Sequence, residues 1–85
     1  NPFNPTTRIQ YSVPTTQYVS LKIYDVLGRE LATLVDEIKQ PGTYSVTWDA
    51  SGLASGVYLY RLKAGDASPG SSQWFAETKK LILLR

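Results

Sequence analysis

Apolar and polar residues alternate with a period of two along most of this chain. Val19, Leu21 and Ile23 alternate with Ser20, Lys22 and Tyr24, the spacing that puts one face of a β-strand into a core. The alternation ends at Asp25, and Gly28 follows where a reversal needs a residue tolerant of positive φ. Leu31, Leu34 and Val35 restart the apolar signal. The pattern predicts a β-hairpin, Tyr18 to Asp25 and Arg29 to Asp36, with its turn across Val26 to Gly28. The other strands are expected to pack around it.

Ile9, Tyr11 and Val13 share one face of a first strand, Thr7 to Val13, which ends at the turn Pro14-Thr-Thr-Gln17. Pro41-Gly42 is a strong reversal signal, and Gly42 to Asp49 repeats the alternation with Tyr44, Val46 and Trp48. A small-residue loop, Asp49 to Gly56, is expected to be plugged from inside by Leu53. Val57 to Ala64 forms the next strand, and its core face is predicted as Tyr58, Tyr60, Leu62 and Ala64 because the other parity carries Arg61 and Lys63. Gly65 to Ser72 reads as loop. Gln73 to Leu84 is the last strand. Its apolar residues occupy both parities, which predicts a bend or bulge near Thr78 to Lys80.

One stretch reads two ways: Leu31, Leu34, Val35 and Ile38 also fit one side of a short helix. The two Asn-Pro steps at the start stiffen a non-helical lead-in over residues 1–6, with Phe3 its only anchor. Six to seven antiparallel strands at this spacing predict an all-β sandwich or barrel in a single domain over residues 1–85.

Composition narrows the chemistry. The 85 residues include no Cys, His or Met. No disulfide is available, a structural zinc site is disfavoured, and Ser-His-Asp and Cys-His nucleophile systems are excluded. Carboxylate chemistry is what remains open to catalysis. Net charge is +2, with the basic residues spread from Arg8 to Arg85 and no tract of the kind that binds nucleic acid. No apolar run approaches the ~18 residues of a membrane-spanning helix. The Asn-Pro start without Met is expected of a processed product or a piece of a longer chain.

Few residues stand out as candidate sites. Asp25 and Asp49 each close an apolar strand; they could act as a cation or acid–base pair, or each could accept backbone N–H groups in its own turn. Tyr24-Asp25 with Gly28-Arg29 could form a recognition surface at the hairpin tip, or turn chemistry with a surface ion pair. Arg61, Lys63, Lys79, Lys80 and Arg85 are expected to form one basic strip on the last two strands, either as a recognition surface or as edge protection. Trp74 and Phe75 could offer an exposed aromatic contact or cover the sandwich end.

The order of landmarks adds a resemblance. Asn4-Pro-Thr-Thr-Arg-Ile9 leads to Val19-x-Leu-x-Ile-Tyr-Asp-x-x-Gly-Arg29, then to Gly42-x-Tyr44, Trp48-Asp49, Ser55-Gly-Val-Tyr58, Tyr60-Arg-Leu62 and Lys79-Lys-Leu-Ile-Leu-Leu84. This resembles the C-terminal sorting domain (type A) of proteins exported by the type IX secretion system of Bacteroidota and related phyla. It is also similar to the immunoglobulin-like module of the flagellar hook-capping protein. The Ile-Tyr-Asp-x-x-Gly-Arg and Ser-Gly-Val-Tyr elements at this distance are its most specific part. The resemblance implies an immunoglobulin-like sandwich, non-catalytic and without cofactor or metal, attached to an upstream cargo.

By that resemblance the partners are an outer-membrane translocon and a sortase-like protease, and the cargo reaches the cell surface or the extracellular medium through the periplasm. The implied recognition residues are Tyr24, Asp25, Gly28, Arg29, Lys79 and Lys80, beside the family positions Asn4, Pro5, Gly56 and Tyr58; Arg85 joins them from the basic strip. The chain departs from the pattern between Ala67 and Phe75, where extra residues include Trp74, and it ends in Leu-Leu-Arg where a terminal Lys is common. Two rival readings are a structural module of a filament or hook-cap assembly, self-associating through edge strands, and a carbohydrate-binding accessory domain.

Overall fold

A computed structural model describes residues 2–3, 5–65 and 74–84, with side chains for 5–65 and 75–84. Seven strands follow in order: β1 (Pro2–Phe3), β2 (Thr6–Val13), β3 (Gln17–Asp25), β4 (Glu30–Lys39), β5 (Gly42–Asp49), β6 (Gly56–Gly65) and β7 (Trp74–Leu83). They build a five-stranded sheet of order β1-β7-β6-β3-β4 and a two-stranded sheet of β2 and β5. All neighbours are antiparallel except β1, which runs parallel to β7 over Pro2–Phe3. The arrangement is an all-β sandwich. Two strands facing a sheet centred on β6 and β3 correspond to the B–E and G–F–C pairings of an immunoglobulin-like domain.

The core lies where the alternation places it. Val19, Leu21 and Ile23 on β3 are fully buried, facing Ile9, Tyr11 and Val13 of β2 and Trp48 of β5. Tyr58 and Leu62 of β6 and Leu81 and Leu83 of β7 complete the inner face, with Tyr44, Val46, Leu53, Tyr60 and Ala64 half-buried around it. Leu53 does pack against the core from its loop, whose backbone is tied down by Ala50 N–H donating to the Pro5 carbonyl at 2.9 Å. At the opposite end Tyr11 and Tyr44 stack at 5.6 Å, Lys39 lies 4.8 Å over the Tyr44 ring, and the Tyr44 hydroxyl donates to the Gln40 carbonyl.

Two expectations about strand regularity are corrected. The β6–β7 ladder runs from Gly56–Leu83 to Gly65–Trp74 without a register shift, so there is no bulge at Thr78 to Lys80. The apolar residues of both parities are accommodated differently: Leu81 and Leu83 face the core, while Ile82 lies on the outer face in register with Pro2 of β1. The irregularities occur instead between β3 and β4. Lys22 pairs with Thr33 but Leu21 with Val35, and Ile23 pairs with Ala32 but Tyr24 with Glu30, so Leu34 and Leu31 are each an extra residue. Two one-residue bulges shift parity twice within five residues. This is why a strand carries the apolar spacing of a helix turn, and the helical alternative for Leu31 to Ile38 falls.

Candidate functional site

The hairpin tip is built by Asp25. Its Oδ1 accepts the N–H of Leu27 at 2.9 Å and of Arg29 at 3.0 Å, and its Oδ2 accepts Arg29 Nε at 2.7 Å. The backbone closes the same loop, with Gly28 N–H donating to the Asp25 carbonyl and Asp25 N–H to the Arg29 carbonyl, each at 3.0 Å. Gly28 sits at φ +85°, the left-handed residue that a three-residue hairpin loop needs after its β-turn. The Arg29 backbone N–H, with further help from the guanidinium and Leu27, holds the Asp25 carboxyl below the usual carboxylate range. With both oxygens engaged, Asp25 is a turn residue here.

That frame presents side chains outward. Val26 is 64% exposed and Leu27 76%, while the Arg29 side chain is 73% exposed beside the Asp25 carboxylate at 13%. Two apolar side chains and one guanidinium therefore stand off a loop that five hydrogen bonds keep in one shape.

The second loop, 50–55, meets the first through the sheet. Asp25 and Tyr58 are directly opposed on β3 and β6. Tyr58 is buried, packs edge-on against Trp48 at 5.7 Å, and donates its hydroxyl to the Ala54 carbonyl at 2.7 Å. A tyrosine near the start of this strand, bonded to backbone a few residues upstream, is the corner found in immunoglobulin-like sandwiches. Asp49 anchors the loop's other end by accepting the Ser51 N–H at 2.9 Å and the Ser51 hydroxyl. These bonds hold its carboxyl below the ordinary value. Between the two loops lies a shallow cleft of about 320 Å³, lined by Val26, Leu27, Arg29, Ser55, Gly56 and Val57 among others. The two sequence elements that carry the resemblance thus form one end of the molecule.

The basic residues do not form one strip. Alternation on β7 sends Lys79 to the inner face with Leu81 and Leu83, where it lies 3.9 Å from Glu77. Lys80 goes to the outer face, in the same cross-strand row as Leu59 and Tyr24. Arg61 and Lys63 share that outer face, joined there by Lys22, which is opposite Arg61. Sequence reasoning missed Lys22; its parity on β3, opposite to Leu21 and Ile23, was the available signal. Phe75 is 57% exposed and borders an inner-face cleft with Tyr11, Val13, Val19, Leu62 and Ala64. Arg85, Asn4 and residues 66–73 lie outside the described residues, as does the Trp74 side chain.

Chemically, this end can present a surface to a partner. Among the described residues no group of three or more His, Cys, Asp or Glu side chains is placed to hold a metal ion, and there is no helix long and apolar enough to cross a membrane. No curated protein matches the chain. A family model described as the secretion system C-terminal sorting domain matches residues 1–82. With both of its specific elements meeting at one end of an all-β sandwich, this chain belongs to the C-terminal sorting domains of the type IX secretion system.

Proposed function

We propose that the domain is a non-catalytic address, read by the type IX outer-membrane translocon through the end formed by residues 24–29 and 54–58, and that it carries an upstream cargo to the cell surface or the medium. The supporting observation is the convergence of the two family elements on that end, where Asp25 locks a loop with Val26, Leu27 and Arg29 turned to solvent. Rigid display suits recognition, since a preorganised loop loses little entropy on binding. Recognition is the role in this reading of Tyr24, Asp25, Gly28 and Arg29, with Lys80 beside them on the outer face. A sortase-like protease that releases the domain from cargo belongs to the same proposal. The test is fusion of the chain to a reporter in a type IX–competent host: surface or extracellular reporter supports the reading, and retained reporter overturns it.

A second reading has its own observation. Among the described residues, β4 bounds the five-stranded sheet with no neighbour on its outer side, and both strands of the smaller sheet have a free edge. Such edges can pair with another copy in a surface assembly. Sedimentation of the chain across a concentration series distinguishes the two: a monomer throughout rules out self-assembly through these edges.

A further inference from the structure

β1 and β7 meet at only two rungs. Pro2 lies beside Ile82 and Phe3 beside Leu83, with the strands parallel. On its other side β7 is paired with β6 along its whole length, from Trp74 to Leu83. From Trp74 to Leu81 the second edge of β7 has no partner strand among the described residues. Exposure changes where β1 stops. Leu81 and Leu83 are buried and Ile82 is half-buried, whereas Phe75, Ala76, Thr78, Lys79 and Lys80 are exposed. The inner face is open over the same half of the strand: Phe75 borders the apolar cleft that Tyr11, Val13, Val19, Leu62 and Ala64 also line.

We propose that the linker joining the domain to its upstream cargo continues β1 along this edge, as a strand parallel to β7. The existence of that linker rests on the family reading above. The direction of β1 carries the rest. Because β1 is parallel to β7, the residues that precede Pro2 run beside β7 from Leu81 back towards Trp74. The two existing rungs fix the register, so one linker residue falls beside Phe75 and turns its side chain to the cleft. An apolar residue suits that position, and polar residues suit those beside Glu77, Thr78, Lys79 and Lys80. A proline in β1 fits an edge strand. A strand from a second copy would have to displace β1 or stop short of it. The linker starts in register, and its pairing closes no new loop.

The test is hydrogen exchange, read by mass spectrometry, on the full-length chain with cargo and domain joined. It is compared with a variant whose linker residues beside Trp74 to Leu81 are replaced by alternating proline and serine, which cannot sustain a ladder. Amides of β7 that face the free edge should exchange at least about tenfold more slowly in the parent, with β3 equally protected in both. A second arm fixes the register. Phe75→Cys, with a cysteine at the linker residue set beside it, should form a disulfide under mild oxidation. Moving the linker cysteine by one position turns it to the other face and should prevent the bond. This arm carries the test if the proline variant fails to fold. Equal exchange in parent and variant, protection that depends on protein concentration, or no disulfide at the predicted pair would overturn the proposal. Neither readout involves export, so failure here leaves the sorting role standing, and failure of export leaves the strand standing.

Discussion

Asp25 and Tyr58 oppose each other across the β3–β6 ladder, and each fastens the loop beside it with its own side chain. Asp25 accepts the Leu27 and Arg29 N–H groups ahead of it in the chain, and Tyr58 donates to the Ala54 carbonyl behind it. One rung of the sheet thus sets the shape of two loops at the end proposed for recognition.

Losing the Tyr58 hydroxyl should therefore loosen one loop while leaving the core filled. Tyr58→Phe keeps the edge-on contact with Trp48 and removes the bond to Ala54, at a cost of about 1 kcal/mol. Denaturant unfolding reads the cost, and amide exchange should rise in residues 50–55. Unchanged stability and exchange would mean that the corner bond is not what holds the loop.

The core is expected to be less forgiving. Leu21→Ala or Ile23→Ala empties a fully buried position and should cost about 2–5 kcal/mol. On β4 the bulges make neighbours unequal: Val35→Ala should cost about 2 kcal/mol, whereas Leu31→Ser, at a bulged position that is 40% exposed, should cost far less. Thermal unfolding of the four variants compares them, and equal losses at Leu31 and Val35 would contradict the bulge assignment.

Stability should fall in acid. The folded carboxyls of Asp25, Glu30 and Asp49 all lie below their ordinary values, held there chiefly by the bonds from the Arg29 N–H, the Thr33 hydroxyl and the Ser51 hydroxyl respectively. A depressed folded value means that the unfolded chain binds protons first. The stabilisation is complete above the unfolded value of about 4 and drains away as pH drops through the lower folded values. Asp25→Asn and Asp49→Asn together should flatten the dependence of melting temperature on pH between about 5 and 2.

If the outer-face basic residues contribute to export, Lys79 and Lys80 must differ. Lys80 shares the outer face and a cross-strand row with Tyr24, whereas Lys79 sits inward beside Glu77. Lys80→Gln should lower reporter export and Lys79→Gln should leave it unchanged, with both variants melting like the parent. Equal export by the two would reduce these lysines to protection of the sheet edge.

Much of this was legible in the sequence, because the informative residues are local. Val19, Leu21 and Ile23, and the burial of Ile9, Tyr11 and Val13, follow from alternation alone, and Gly28 marked the turn correctly. The two bulges were not legible. Leu31 and Leu34 are extra residues only relative to the partner strand, and unaided spacing assigns them to a helix face. The meeting of Lys22 with Arg61 depends on which strands become neighbours, a choice that lies in the topology and not in either segment. The splitting of Lys79 from Lys80, by contrast, was available: Leu81 and Leu83 facing inward fix it.

The central claim is that the translocon reads the loop end, and Val26→Ser with Leu27→Ser tests it most directly. Both side chains are exposed and neither is in the core, while the bonds around Asp25 use the backbone and Arg29. The variant should melt like the parent. Fused to a reporter in a type IX–competent host, it should be retained in the periplasm while the parent fusion reaches the surface or the medium. Export of the folded variant at the parent level would contradict the account.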